Sequence, residues 1–188
     1  MLVTAAHCDP PSAVGLLAAN PNLVERRASW GESVLEAASH LGNQGLAWRC
    51  IEAGAPVDLF AACALGDRRL AMSRFEAAGC DPRGVHGLPL LHFAIVGGSV
   101  ELLDLLLENG AAVNPPKAPV SPLHTAVAIK PVDVIRRLLD AGADVNAPDA
   151  MGARPLDWAI DLHGARSQAA RLLVRFGARV DSAAGETP

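Results

Sequence analysis

Four cysteines and six histidines are the residues of this chain best suited to chemistry. Cys8, Cys50, Cys63 and Cys80 stand 42, 13 and 17 residues apart, with no C-x-x-C pair of the kind used by metal and redox sites. They read as reduced core fillers, because free cysteine is among the most buried residue types. A nucleophile built from Cys63 and His40 would need a third group to orient the base and an oxyanion hole, and the sequence offers neither. Gly-rich phosphate loops, H-E-x-x-H and G-x-S-x-G are missing as well. The residues therefore point to no catalytic group, no metal ligand and no cofactor, and the chain reads as non-enzymatic.

The elements that must carry these residues follow from composition and spacing. In 188 residues the chain is 51% hydrophobic but only 4% aromatic, with no Tyr, so a core of Ala, Leu and Val in closely packed helices is expected. A net charge of -4 argues against nucleic acid or an anionic membrane as partner. The longest apolar run, near Leu59 to Leu65, is far shorter than the roughly 20 residues that span a bilayer. Met1 to Asp9 lacks the basic and apolar regions of a secretory signal, so a cytoplasmic monomer is expected.

Self-similarity organises the rest. Gly54, Gly79, Gly110, Gly142 and Gly177 each open a Gly-small-x-x segment, at steps of 25, 31, 32 and 35 residues, and Leu106-Leu107, Leu138-Leu139 and Leu172-Leu173 precede three of them. Between Ser121 and Asn146 the logic of one repeat is clearest. Ser121 caps a helix that Pro122 opens, and Pro131 opens a second helix, in which Val132, Ile135, Leu138 and Leu139 form the apolar face. Gly142 then takes the left-handed conformation that ends it. Such a pair cannot bury its own apolar faces and must stack on a copy of itself.

Ser121-Pro122-Leu123-His124-x-Ala126, followed by Leu138-Leu139-x-x-Gly142-Ala143-Asp144-Val145-Asn146, resembles an ankyrin repeat, whose hallmark is T-P-L-H-x-A. Leu91-His92-Phe93-Ala94 and Arg154-Pro155-Leu156-Asp157-Trp158-Ala159 carry parts of the same pattern before and after it. Ser33 to Ala38 is a fair match, the segment from Leu59 keeps two helices without the preceding turn, and the first residues resemble a capping half-unit. The expected fold is an all-α ankyrin-repeat solenoid of stacked antiparallel helix pairs, about five units plus that cap. It forms one domain over 1–181, with units at about 1–27, 28–56, 57–83, 84–115, 116–148 and 149–181, and a disordered tail over 182–188.

The resemblance implies a module that binds an as yet unidentified protein through its turns and first helices. Counting from each turn puts Trp30, Glu32, His86, Leu88, Lys117 and Met151 on the turns, and His7, His40, Val96, Ile129, Asp161 and Leu162 on the first helices. Trp30 is the leading anchor, since exposed Trp is typical of interface hot spots; folding over Ala28 is the alternative. Trp48 is expected to cover outer helices and Trp158 to join the core. His92 and His124 hold turns in the resemblance, Asp157 and Glu36 cap helix starts, and Ser121, Pro122, Gly110, Gly142 and Gly177 are structural. Leu172, Leu173, Val174 and Phe176 are candidates for an incompletely covered end. His7 and His40 fall at equivalent places in adjacent repeats, but would share a metal only if both rings leaned inward, so solvated histidines are expected, with small-molecule or metal sensing at this pair as an alternative function.

Overall fold

The computed structural model describes residues 2–79, 81–129 and 132–180. Cys80, the helix start expected at Pro131, and the tail lie outside them. The described residues form twelve α-helices, two short 3-10 turns and no strand. None of these helices is long and apolar enough to cross a membrane. The chain divides into two compact units, Met1–Ala112 and Val113–Pro188.

The N-terminal unit holds four helix pairs: α1 (Leu2–Cys8) with α2 (Pro10–Ala19), α3 (Val34–His40) with α4 (Gln44–Glu52), α5 (Leu59–Leu65) with α6 (Arg68–Ala78), and α7 (Leu90–Val96) with α8 (Val100–Glu108). The expected N-terminal half-unit thus contains both helices of a pair. Short polar side chains fix where helices begin by accepting bonds from otherwise unpaired N–H groups: Asp9, Ser33, Asn43, Asp58, Asp67 and Ser99 all do so. Ser33 and Glu36 satisfy each other's backbone N–H, at 3.2 and 2.6 Å, in a complete capping box. The first helices pack in a row, α1 on α3, α3 on α5 and α5 on α7.

Two hairpin turns project from this row. In one, Ala28 N–H donates to Glu32 O (2.8 Å) beside the Arg27–Ser33 bridge; in the other, Gly84 N–H donates to Leu88 O (3.0 Å) beside the Arg83–Pro89 bridge. Between them α5 is entered directly from its cap, Asp58. The inner face of α5 is built from Ala61, Ala62, Cys63 and Ala64, all buried. Over these small residues α3 and α7 come into direct contact. Gln44 Nε2 donates to Gly97 O (2.8 Å) and Ala64 O (3.3 Å), and a Cβ on Gly97 would stand 2.5 Å from Ala64 O. Glycine is required there because backbone meets backbone.

The C-terminal unit holds α9 (Pro122–Ile129), α10 (Val132–Asp140), α11 (Pro155–His163) and α12 (Gln168–Arg175). The buried face of α10 is Val134, Ile135, Leu138 and Leu139. Val132, expected on that face, is only partly buried because Val134 takes the inward position in the first turn. Gly142 ends the helix at φ +87, with Gly142 N–H on Leu139 O (3.0 Å) and Ala143 N–H on Leu138 O (2.8 Å). Asn114 then clamps the next loop, donating to Gly142 O (2.7 Å) and accepting from Asp144 N–H (2.7 Å). Asn146 repeats the arrangement on Gly177 O (3.2 Å) and Arg179 N–H (2.8 Å).

Candidate functional site

In the N-terminal unit four side chains come together: His7 at the end of α1 and His40 at the end of α3, which repeat counting aligned, and Glu32 and His86 on the two hairpin turns, which it did not join to them. The turns explain the meeting. Residues 28–32 and 84–88 have the same hairpin hydrogen bond, so Trp30 and His86 are equivalent tip residues, and Glu32 and Leu88 are equivalent inward-facing ones. Leu88 is buried, and Glu32 is only 3% exposed. Both were expected on the accessible surface of the turns, and both are corrected by the pleat of the hairpin, which sends alternate side chains to opposite sides.

The Glu32 carboxylate lies among three imidazoles. Oε1 is 3.2 Å from His40 Nδ1 and 3.4 Å from His86 Nε2, while Oε2 is 3.6 Å from His7 Nε2. Trp30 Nε1–H donates to Oε2 at 2.7 Å, and Oε1 accepts no hydrogen bond at all. The His40 ring stands 5.1 Å from that of His7 and 5.2 Å from that of His86. Burial lowers the His40 pKa below the ordinary imidazole value, against the opposing pull of Glu32. His86 is held in the left-handed region at φ +56, a conformation uncommon outside glycine. An open cleft of about 390 Å³, lined by Trp30, Gly31, Glu32, Glu36, Val85 and His86, leads to the cluster.

His7 and His40 therefore lean inward and are not the solvated histidines expected. The reason is the short α1 and α3, which end beside each other on the side toward which Glu32 is turned. Cys8 is exposed, against its expected core role, whereas Cys50 and Cys63 are buried. Burial pushes the Cys63 thiol up to about 12, which favours its protonated form. The sequence held one usable signal for the cluster: aligning the two turns pairs Glu32 with the apolar Leu88, which marks the position as inward.

The remaining candidates fall on both units. Trp30 is 55% exposed despite its bond to Glu32, and Val96 is partly buried where α7 meets α3. In the C-terminal unit the Asp149–Ala153 hairpin presents Met151 at its tip, 94% exposed. Neighbouring α9 and α11 leave Ile129 (46%) and Leu162 (53%) exposed at their ends, with Asp161 beside them. Lys117 is exposed, with φ +57. Trp48 is half exposed rather than covering its neighbours, since α4 presents it away from the core that Leu46, Ala47 and Cys50 enter. Leu172 and Leu173 are buried, so of the end candidates Val174 and Phe176 remain accessible.

The motif histidines differ between the units. His124 accepts from Ser121 N–H at Nδ1 (3.2 Å) and donates from Nε2 to Ala153 O (3.1 Å), a single neutral tautomer that links two turns. Burial lowers its pKa. His92 instead donates from Nε2 to His40 O (2.9 Å), joining α7 to the end of α3. Asp157 accepts from Arg154 N–H (2.8 Å) at the start of α11. Trp158 is only partly buried: it meets His124 edge to face, with ring centroids 5.1 Å apart, and donates to Asp149 Oδ2 (3.0 Å). Although burial of Asp149 works the other way, the N–H bonds from Met151 and Ala153 and the bond from Trp158 hold its carboxyl below the usual range.

No curated protein matches the chain. The family described as ankyrin repeats (3 copies) matches it over residues 2–149 and again over 91–184. Ankyrin repeats are generally protein–protein interaction modules and are typically non-enzymatic. The twelve helices, the capped pairs and this match, which spans well over half the sequence, agree: the chain belongs to the ankyrin repeat family.

Proposed function

We propose that this protein is an adaptor or inhibitor that docks a partner protein on its hairpin turns and the ends of its first helices. The observation that carries the reading is the exposure of large apolar side chains at those places: Trp30 and Met151 at turn tips, Ile129 and Leu162 at the ends of α9 and α11. Aromatic and long apolar anchors supply most of the energy of such interfaces, while the polar residues around them exclude water and set register. His86, Lys117 and Asp161 are the exposed polar neighbours, and Val96 is a lesser contact. Glu32 and His40 act from beneath by fixing Trp30 and the turn that bears it. A repeat scaffold suits this role because its outward residues vary without disturbing the core. We place the work in the cytosol, where buried thiols such as Cys50 and Cys63 stay reduced.

Affinity capture with the wild type and with a Trp30→Ala, Ile129→Asp, Leu162→Asp variant tests the reading. Retention of a protein by the wild type and its loss from the variant are expected; equal retention by both would move the interface elsewhere. A second reading, self-association through the last helix pair, draws on the exposed Val174, Phe176 and Val180. A concentration-dependent dimer in sedimentation, abolished by Val174→Asp, would favour it.

A further inference from the structure

We propose that His7, Glu32, His40 and His86 bind a single divalent transition-metal ion, of the kind that takes imidazole and carboxylate ligands, as zinc does. The donor set is chemically right: three imidazole nitrogens and one carboxylate oxygen suit zinc, cobalt or nickel far better than magnesium or calcium. The spacing is right too. In a tetrahedral zinc site with bonds of about 2.0–2.1 Å, ligand atoms stand about 3.3 Å apart. Oε1 stands 3.2 Å from His40 Nδ1 and 3.4 Å from His86 Nε2, Oε2 stands 3.6 Å from His7 Nε2, and one ligand atom from each of the four residues can be taken with all four within 4.8 Å of one another. The widest pair must close by about 1.5 Å to reach the ideal edge, a movement within the swing of a side chain.

Two observations beyond the clustering call for a cation. Glu32 is almost wholly buried, yet its Oε1 accepts no hydrogen bond, which is costly for an ionised carboxylate. His7 gives its Nδ1–H to Val3 O (2.9 Å), so Nε2 of the neutral ring turns a lone pair toward Glu32 Oε2, acceptor facing acceptor. A metal ion between them satisfies both. The outer partners have the form such sites take: Val3 O fixes the His7 ring and Trp30 Nε1–H fixes the carboxylate. His40 can meet the ion through Nε2 with its Nδ1 kept on Glu36 O (3.1 Å), or through Nδ1 with that bond given up. The left-handed His86 fits the same picture, since an uncommon backbone conformation persists where surrounding interactions hold it. The ion would tie the end of α1, the end of α3 and both hairpin turns into one body, and through Glu32 would set the position of Trp30.

The test is titration of the chelator-stripped protein with zinc and with cobalt, followed by calorimetry, cobalt absorption and tryptophan fluorescence. One equivalent should bind, with the visible absorption of a four-coordinate cobalt site and a rise in melting temperature. His86→Ala and Glu32→Gln should each weaken binding by roughly a hundredfold, at least the upper end of what outer-shell losses alone cost. Both should keep the wild-type circular dichroism spectrum, His86 being exposed and Gln an isostere of Glu. Cys8→Ser should change nothing. No saturable binding by the wild type below about 100 µM zinc would overturn the proposal. So would binding that survives both variants, or binding lost in Cys8→Ser. None of these results depends on whether a partner protein docks.

Discussion

The two units join neighbouring helix pairs with different polar hardware. In the C-terminal unit polar side chains cross to the next repeat bond by bond, and only His163, whose Nε2 donates to Val127 O (2.7 Å), leaves a buried ring nitrogen, Nδ1, without a partner among the described residues. His124 links Ser121 to Ala153, and Asn114 and Asn146 make the same pair of bonds one repeat apart. In the N-terminal unit the repeat at α5 has no projecting turn, α3 meets α7 over a patch of small residues, and the turns on either side converge on a buried carboxylate with an unpartnered oxygen. Regular spacing lets backbone and side-chain polar groups satisfy each other pair by pair. Omitting one turn instead gathers ionisable groups in one place, and such a place is suited to a ligand.

The sharpest way to break the C-terminal pattern is His124→Ala. It strands Ser121 N–H and Ala153 C=O in a part-buried setting and removes the buried ring itself, and a loss of about 2–4 kcal/mol is expected in urea denaturation. The N-terminal counterpart is Gly97→Ala, which forces a methyl onto Ala64 O; overpacking of this kind should cost about 2 kcal/mol and be seen as a lower melting temperature. Asn114→Ala removes two exposed bonds and should cost about 1–2 kcal/mol, with faster amide exchange around Asp144. Glu32→Gln should have the opposite sign. In metal-free protein at pH 8, above the ordinary imidazole pKa, removing a buried, half-satisfied charge should stabilise by about 1 kcal/mol.

Acid gives the most general contrast. Burial lowers the pKa values of His92 and His124 in the folded protein, so the unfolded chain binds more protons. Stability is then lost as pH falls below the unfolded value of about 6.5, by at most about 1.4 kcal/mol per pH unit for each histidine. The loss between pH 7.5 and 5.5 should be smaller in His124→Gln than in the wild type.

Much of the fold could be read from the sequence because local signals dictate it. Ser33 and Glu36 announce a capping box, Pro122 and Pro155 stand where helices begin, and Gly142 stands where one ends. The apolar face of α10 was legible to within one residue, with Val134 turned inward in place of Val132. The candidate site was legible only in pieces. His7 and His40 emerged as neighbours because repeat counting aligns them. His86 did not, since it joins them across a repeat whose turn is missing, and the approach of α3 to α7 depends on the small side chains of α5, not on any motif. Glu32 looked like a solvated turn residue because charge usually means exposure, and the pleat of a hairpin overrode that rule.

The central claim is that the hairpin turns and first-helix ends are the working surface. Hydrogen-exchange mass spectrometry of the protein with its captured partner tests it most directly. The account predicts slowed exchange on binding over residues 28–40, 84–96 and 149–163, with α4, α6, α8, α10 and α12 little changed. Protection confined to those second helices, with the turns exchanging as freely as in the unbound protein, would contradict it.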